Sequence, residues 1–484
     1  MTSTPGTARP TPTRPVSRPS IGRTEPDHAD FRLPGTAEGW LLGLAGWMAV
    51  FSLCVATMPE MASLTLLLPL GAVALWRWLW IALQLMRASA YLRFVFPAYR
   101  RAAAGNDRPV EDVGVVCTSY RMDPRVSGSV ARSLRADIED LNPKRACVVF
   151  SVGDQNDAEA IRQAFLGADR IDLTILFQDG SGKRRAVADA LSALRSRGVT
   201  PGGVVLLMDG DTLIPAGTLR RTVPILRSSP GIGALTVHNR PFVDGSAWAR
   251  DWYLLRMIQR HVQMSSVSLS ERVLVLTGRW SLYRAELALH PDFAAQVAHD
   301  VLHHRREGSI PLLTGEDKST WRWIIERGYR AIYVPDVAVH PLEKLPGTGF
   351  FKPSVALMRR WFGNMSRGGL KAIPLGPAKL GWFPWLVLLD QRVSMWTTLS
   401  GPLFMLSAAL LSGTPRLIAA YGLWALLSRT AHSLAIGALA RSWTPSFPFL
   451  MYYTQVVGAL LKIHVTFHPA QQKWTQQGTG AARR

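Results

Sequence analysis

Asp209 and Asp211 stand one residue apart in Met208-Asp209-Gly210-Asp211, directly after the apolar run Val204–Leu207. Two carboxylates on a tight turn at a strand end can hold a hard divalent ion that keeps its waters and binds diphosphate oxygens. Such an ion neutralises charge on a departing nucleotide diphosphate. The same Asp-Gly pair is also ordinary turn chemistry. In Thr314-Gly315-Glu316-Asp317-Lys318, Asp317 opens a helix expected over Ser319–Arg327. A carboxylate there is either a cap or a general base for an acceptor hydroxyl. Gly180-Ser181-Gly182-Lys183-Arg184 precedes another helix. A glycine-rich turn with Lys suits phosphate, but the P-loop spacing is missing, which argues against an ATPase.

Further residues carry both a chemical and a bland reading. Arg359-Arg360-Trp361 offers a diphosphate clamp and a ring to stack on a sugar. The same triplet reads as an interfacial Trp flanked by snorkelling Arg. Thr277-Gly278-Arg279-Trp280-Ser281 is an acceptor-lining turn or a plain loop. His299, Asp300, His303 and His304 have a spacing that one helix face could turn into zinc ligands. No HExxH and no complementary Cys accompany them, so they read as a solvated helix face.

These residues need a scaffold, and residues 110–340 supply the pattern of one. Strands are expected at Val113–Thr118, Ala146–Val152, Leu173–Phe177 and Val204–Met208, alternating with helices at Val126–Leu141, Asp157–Leu166 and Lys183–Arg197. That alternation implies a mostly parallel sheet. Ligands bind beyond the carboxyl ends of such strands, where Asp154, Lys183, Asp209 and Asp211 fall.

The flanks read differently. Residues 1–37 form a basic Pro/Thr/Ser-rich tail expected to be disordered. Within 38–86, Gly39–Met58 and Met61–Met86 are about long enough to cross a bilayer, and Arg77 in the second must snorkel or find a partner. The Arg-rich segment that follows places the 87–345 domain in the cytosol by the positive-inside rule. Phe350–Arg367, within 346–380, reads as an interfacial amphipathic helix, and Trp248–Met264 has similar character. In 381–468, Asp390, Gln391 and Arg392 interrupt an apolar block. Val393–Leu411 and Leu417–Ala440 are the better spans, and Phe447–Leu461 is short for one. Residues 469–484 form a basic tail.

The net charge of +21 is compatible with nucleic acid, anionic lipid or an anionic substrate. With no zinc finger or RNP motif, nucleic acid is set aside, and a lipid-facing basic surface remains as the bland reading. Cys54, Cys117 and Cys147 show no pairing pattern and read as buried thiols in a reducing compartment.

Taken in order, Asp154, Gly182-Lys183-Arg184, Asp209-x-Asp211, Thr277-Gly278, Glu316-Asp317 and Arg360-Trp361 resemble the processive family 2 glycosyltransferases, which include cellulose, chitin and hyaluronan synthases. The resemblance implies a GT-A-like α/β domain flanked by transmembrane and interfacial helices, and an inverting transfer. It implies Asp154, Lys183, Asp209 and Arg360 on the donor. It puts Mg²⁺ or Mn²⁺ on Asp209 and Asp211, and Thr277, Gly278, Glu316 and Trp361 at the acceptor, with Asp317 as base. Leu357 stands where the family's motif has Gln.

Leu357–Met365, Asp390–Arg392, Ser394–Thr397, Tyr333–Val337 and Gln472–Thr475 are similar to the bacterial mannuronan (alginate) synthases. That similarity implies GDP-mannuronate as donor, β-1,4-polymannuronate as product, and a multi-pass protein of the bacterial inner membrane. It also implies a cyclic di-GMP-binding partner subunit and export machinery. The alternatives are a UDP-sugar synthase of the hyaluronan, chitin or cellulose type, a non-processive transferase acting on a lipid, and a non-enzymatic export scaffold.

Overall fold

The structure is a computed structural model and describes residues 43–49, 52, 68–105 and 109–472. Most of the first expected span, Cys54, the N-terminal tail and residues 473–484 of the C-terminal tail lie outside the described residues.

A nine-stranded sheet runs β3-β2-β1-β4-β8-β6-β11-β5, with β7 also on β11. Its members are β1 (Asp112–Thr118), β2 (Arg145–Val152), β3 (Ile171–Phe177), β4 (Val204–Asp209), β5 (Thr212–Leu213), β6 (Ile232–Asn239), β7 (Phe242–Asp244), β8 (Trp280–Arg284) and β11 (Arg330–Lys344). The first four are mutually parallel. β8 enters antiparallel between β4 and β6, so the sheet is mostly but not wholly parallel, and the sequence did not reveal the insertion.

The alternation within β1 explains the layering. Val113, Val115 and Cys117 face a core with Val130 and Leu134 of the helix Pro124–Leu141. Val116 faces Val187, Leu191 and Leu194 of the helix Lys183–Ser196 on the other side. Gly114 admits that second helix closely, because a Cβ there would lie 2.7 Å from Leu194. Thr118 pairs with Ser151 on one side and Asp209 on the other, so the carboxyl ends of β2, β1 and β4 finish level.

A third core joins the helices Ala247–Ser268, Phe351–Ala372 and Phe447–Phe467 through Trp252, Leu255, Leu357, Met358, Leu450 and Met451. The Trp248–Met264 segment is therefore an interior helix and not an interfacial one. Leu357 is fully buried in this core, where an amide would need a partner.

Three expectations about the flanks change. Asp390-Gln391-Arg392 does not interrupt a helix, because Trp382–Ser412 runs unbroken for 31 residues. Its charges are partnered: Asp390 meets Arg77 at 2.6 Å, and Arg392 donates to Ser366. The last helix, Phe447–Phe467, runs six residues past the expected Leu461 to 21 residues, yet it is not among the described helices long and apolar enough to cross a membrane. His299–His304 is no helix face either. The preceding helix ends at Ala298, and Val301–His304 (β9) pairs antiparallel with Gly308–Pro311 (β10). Asp300 is buried there between Arg322, Lys371 and Ser319.

Among the described residues, one helix, Trp382–Ser412, is long and apolar enough to cross a membrane. The helix Leu68–Ala90 covers most of the second expected span.

Candidate active site

The strand ends, the Lys183 helix and the Glu316 helix meet at one cleft. Its lining includes Thr118, Lys183, Asp209, Gly278, Glu316 and Asp317. Lys183 opens its helix after Gly182, whose φ of 104° suits glycine. Its Nζ lies 2.6 Å from Asp209 and 2.5 Å from Glu316. Gly278 presses its backbone against this trio: a Cβ there would lie 3.0 Å from the Lys183 ammonium and 3.4 Å from each carboxylate. Thr277 lies beneath, bonded to Thr236. The glycine of the Thr-Gly pair is thus required by space and not by backbone conformation.

Glu316 and Asp317 sit in the first turn of the helix Glu316–Glu326, which begins three residues before the expected Ser319. Gly315, at φ 87°, is the cap, so Asp317 is free of the capping role. Its carboxylate accepts its neighbour's amide, Lys318 N, at 2.9 Å. Arg184, beside Lys183, is buried and fixes the turn from behind. It donates to Thr314 O and Ser319 Oγ at 3.0 Å each, and to Val297 O. The adjacent pair Lys183-Arg184 therefore grips both sides of the Thr314–Asp317 turn. The sequence offers Lys183 to phosphate and places Arg184 in the same motif without giving it a role.

Electrostatics separates the acidic residues. Burial disfavours charge on Glu316, but the Lys183 ammonium overrides it and holds the carboxyl down to about 2. Burial raises Asp317, and the Glu316 charge beside it raises it further. Burial also raises Asp211, with Asp209 adding repulsion that Arg279 and Lys183 only partly offset. Burial works against the Lys183 charge, yet Asp209 and Glu316 more than compensate and raise it. Asp209, Asp211, Glu316 and Asp317 thus all lie within electrostatic reach of the Lys183 ammonium, with Arg279 and Arg360 also acting on the group.

Asp209 and Asp211 fit a divalent ion on this evidence. They flank one turn at the end of β4, and the Asp211 carboxyl resists ionising beside Asp209. Among the described residues no group of three acidic, His or Cys side chains forms a closed cage. Two carboxylates plus substrate oxygens and water are the usual way to hold Mg²⁺.

The remaining residues sit further out. Asp154 caps the helix Gln155–Ala164 at the end of β2 and accepts Asp157 N at 3.0 Å. It shares the sheet edge, but no contact joins it to the Lys183 cluster. Asp157 is fully buried, accepting from Ser127 and Met122, and is structural. Trp361 does not face outward: it stacks on Trp252 with ring centroids 5.5 Å apart, and the Arg256 guanidinium lies 3.8 Å from its ring centre. Arg359 reaches His464 and Gln471, while Arg360 lies on the same helix under the electrostatic influence of Arg279, Glu316 and Asp209. Sequence reasoning missed Glu343, which is buried against Arg279 and Tyr253. Nothing in its local sequence marks it, because β11 brings it there.

Residues 109–364 match the family described as glycosyltransferase like family 2. The chain is 35% identical over 453 residues to "Glycosyltransferase alg8" of Pseudomonas syringae pv. tomato (strain ATCC BAA-871 / DC3000), covering 92% of this chain and 91% of that one. It is 35% identical over 456 residues to the protein of the same name from Azotobacter vinelandii, with the same coverage. Among solved structures, the mannosyltransferase PcManGT from Pyrobaculum calidifontis, in complex with GDP-Man and Mn²⁺, aligns at a TM-score of 0.44 and 23% identity over 79% of this chain and 98% of that one. The parallel sheet with its inserted antiparallel strand is GT-A-like, and the extent of these matches settles the family: the chain belongs to glycosyltransferase family 2 and is a glycosyltransferase.

Proposed function

We propose that this enzyme is a membrane-embedded, inverting, processive transferase that polymerises GDP-mannuronate into β-1,4-polymannuronate, the precursor of alginate. The observation that carries the chemistry is the position of Asp317. It lies one residue beyond the Lys183-bound Glu316, in the cleft that Asp209 and Gly278 line. Asp317 takes the proton of the acceptor hydroxyl as that oxygen attacks the anomeric carbon. Lys183 and Arg360 place positive charge where the diphosphate departs. Asp154 lies at the nucleotide end of the sheet edge. Asp209 and Asp211 would hold Mg²⁺ or Mn²⁺, which supplies charge neutralisation to the leaving diphosphate. Glu316, Thr277, Gly278 and Trp361 border the acceptor.

The membrane reading is supported by Trp382–Ser412 and its exposed Trp382, Leu403, Leu410 and Leu411, a surface that water would disfavour. The donor reading is supported by the similarity to the two alg8 proteins. A cyclic di-GMP-binding subunit and export machinery belong to the same reading.

Purified membranes offered GDP-mannuronate, GDP-mannose and UDP-sugars separately test it. Polymer from GDP-mannuronate alone, with β-1,4 linkage, is expected, and polymer from a UDP-sugar instead would overturn the donor assignment. Asp317→Asn should abolish transfer while leaving GDP affinity within about twofold.

A further inference from the structure

Three cations lie between the catalytic turn and the apolar helices, and the mechanism above uses none of them. Arg256 and Arg260 stand four residues apart on the helix Ala247–Ser268, hence on one face about 6 Å apart along its axis. Trp252 extends the same face by one turn in the other direction. Arg256 lies over the rings of Trp361, at 3.8 Å, and Trp252, at 5.3 Å. Lys462, on the helix Phe447–Phe467, lies 4.8 Å from the ring of Phe362, the residue after Trp361.

The order is directional. Arg260 lies within electrostatic reach of Asp317. Arg256 comes next, and Lys462 is within reach of Arg256 on one side and of the Arg77–Asp390 pair on the other. That pair joins the helices Leu68–Ala90 and Trp382–Ser412. Among the described residues, no carboxylate comes within ion-pairing distance of Arg256, Arg260 or Lys462, although buried cations elsewhere in the chain are paired: Arg279 with Glu343, Lys371 with Asp300. As whole residues all three are partly exposed, while Arg256 Nε and Arg260 Nη2 are enclosed with no hydrogen-bond partner among the described residues. Burial pulls Arg256 down to about 9 and Arg260 to about 10. Like charges gathered without a direct ion pair are costly unless an anion comes to them.

Resting on the uronate reading, we propose that Arg256, Arg260 and Lys462 form a binding path for the carboxylates of the growing chain, leading from Asp317 toward the apolar helices. A uronate carries one carboxylate per sugar and stays ionised at neutral pH. Its sugar faces meet Trp361 while its carboxylates meet the cations in turn. A neutral glucan would leave these cations uncompensated, so the path also selects the product's class.

The test uses the full-length protein in nanodiscs, with oligomannuronate and neutral oligomannose of equal length as probes, and polymer length from GDP-mannuronate as a second readout. Wild type should bind oligomannuronate in a salt-sensitive way and prefer it to oligomannose. The double variant Arg256→Gln/Arg260→Gln should bind it at least about tenfold more weakly and release shorter chains. Arg256→Lys/Arg260→Lys should restore most of the affinity, a result that a folding defect would not give. If wild type polymerises GDP-mannuronate and the Gln variant binds and elongates as wild type does, the path is wrong and the donor reading stands. If wild type accepts only a neutral donor, both fall.

Discussion

The Lys183 ammonium lies 2.5 Å from the Glu316 carboxylate, tying the start of one helix to the start of another. The same ammonium holds Asp209, so one side chain fixes the strand end and the Thr314–Asp317 turn together. Lys183→Met leaves these carboxylates without their counter-charge. Breaking a largely buried pair from one side costs about 3 kcal/mol. We expect at least a hundredfold loss in kcat/KM and a lower unfolding temperature, read by steady-state kinetics and calorimetry. Unchanged kinetics would remove the clamp from the mechanism.

Gly278→Ala separates catalysis from stability. The added methyl would lie 3.0 Å from the Lys183 ammonium. The far end of a Lys can move, so the fold should tolerate the change within about 1 kcal/mol. The displaced ammonium no longer spans Asp209 and Glu316, and turnover should fall at least tenfold.

The rate should also report the acidity of Asp317. Its pKa is raised by burial and then by Glu316. A base must be ionised, so activity falls as pH drops through that raised value, above the ordinary aspartate value near about 4. Glu316→Gln removes one cause, and the acidic limb of kcat/KM should move to lower pH. A limb that stays in place or moves upward would count against Asp317 as the titrating base.

Arg77 and Asp390 meet at 2.6 Å, and Arg77 also donates to Thr397. Arg77→Met alone should destabilise by a few kcal/mol, because Asp390 is left without its cation. Arg77→Met/Asp390→Leu should recover most of that loss. Unfolding midpoints of wild type, Arg77→Met, Asp390→Leu and the double variant in one detergent give the coupling.

The segment before residue 473 is tied to the strand that leads into the Thr314–Asp317 turn. The Gln472 amide accepts Leu313 N at 3.0 Å and donates to Pro311 O at 2.9 Å, while Ala470 N donates to Glu307. Leu313 precedes the Thr314–Asp317 turn directly. Gln472→Ala should lower kcat threefold to tenfold by loosening that turn, with stability changing by about 1 kcal/mol. Gln472→Glu keeps the acceptor and loses the donor, and should fall between the two.

The sequence by itself carried the parallel half of the sheet, because β1, β2, β3 and β4 are continuous apolar runs broken by helical patterns. It also carried Asp209, Asp211, Glu316 and Asp317, because each follows a strand or opens a helix and so reaches solvent at a predictable place. Arg77 announced that it needed a partner. Only the tertiary structure supplied Asp390 as that partner, since an ion pair between distant helices has no local signature. The helix 382–412 looked broken for the same reason: charges inside an apolar run read as an interruption until their counter-charges are in place. Lys183 read as a phosphate ligand, and only the fold showed that it also clamps Glu316. Trp361 read as an interfacial ring, but packing against Trp252 and Arg256 turned it inward. Periodicity and turn chemistry act between neighbours in the chain, whereas charge pairing and ring stacking act between neighbours in space, and those are decided only once the sheet and the three-helix core have formed.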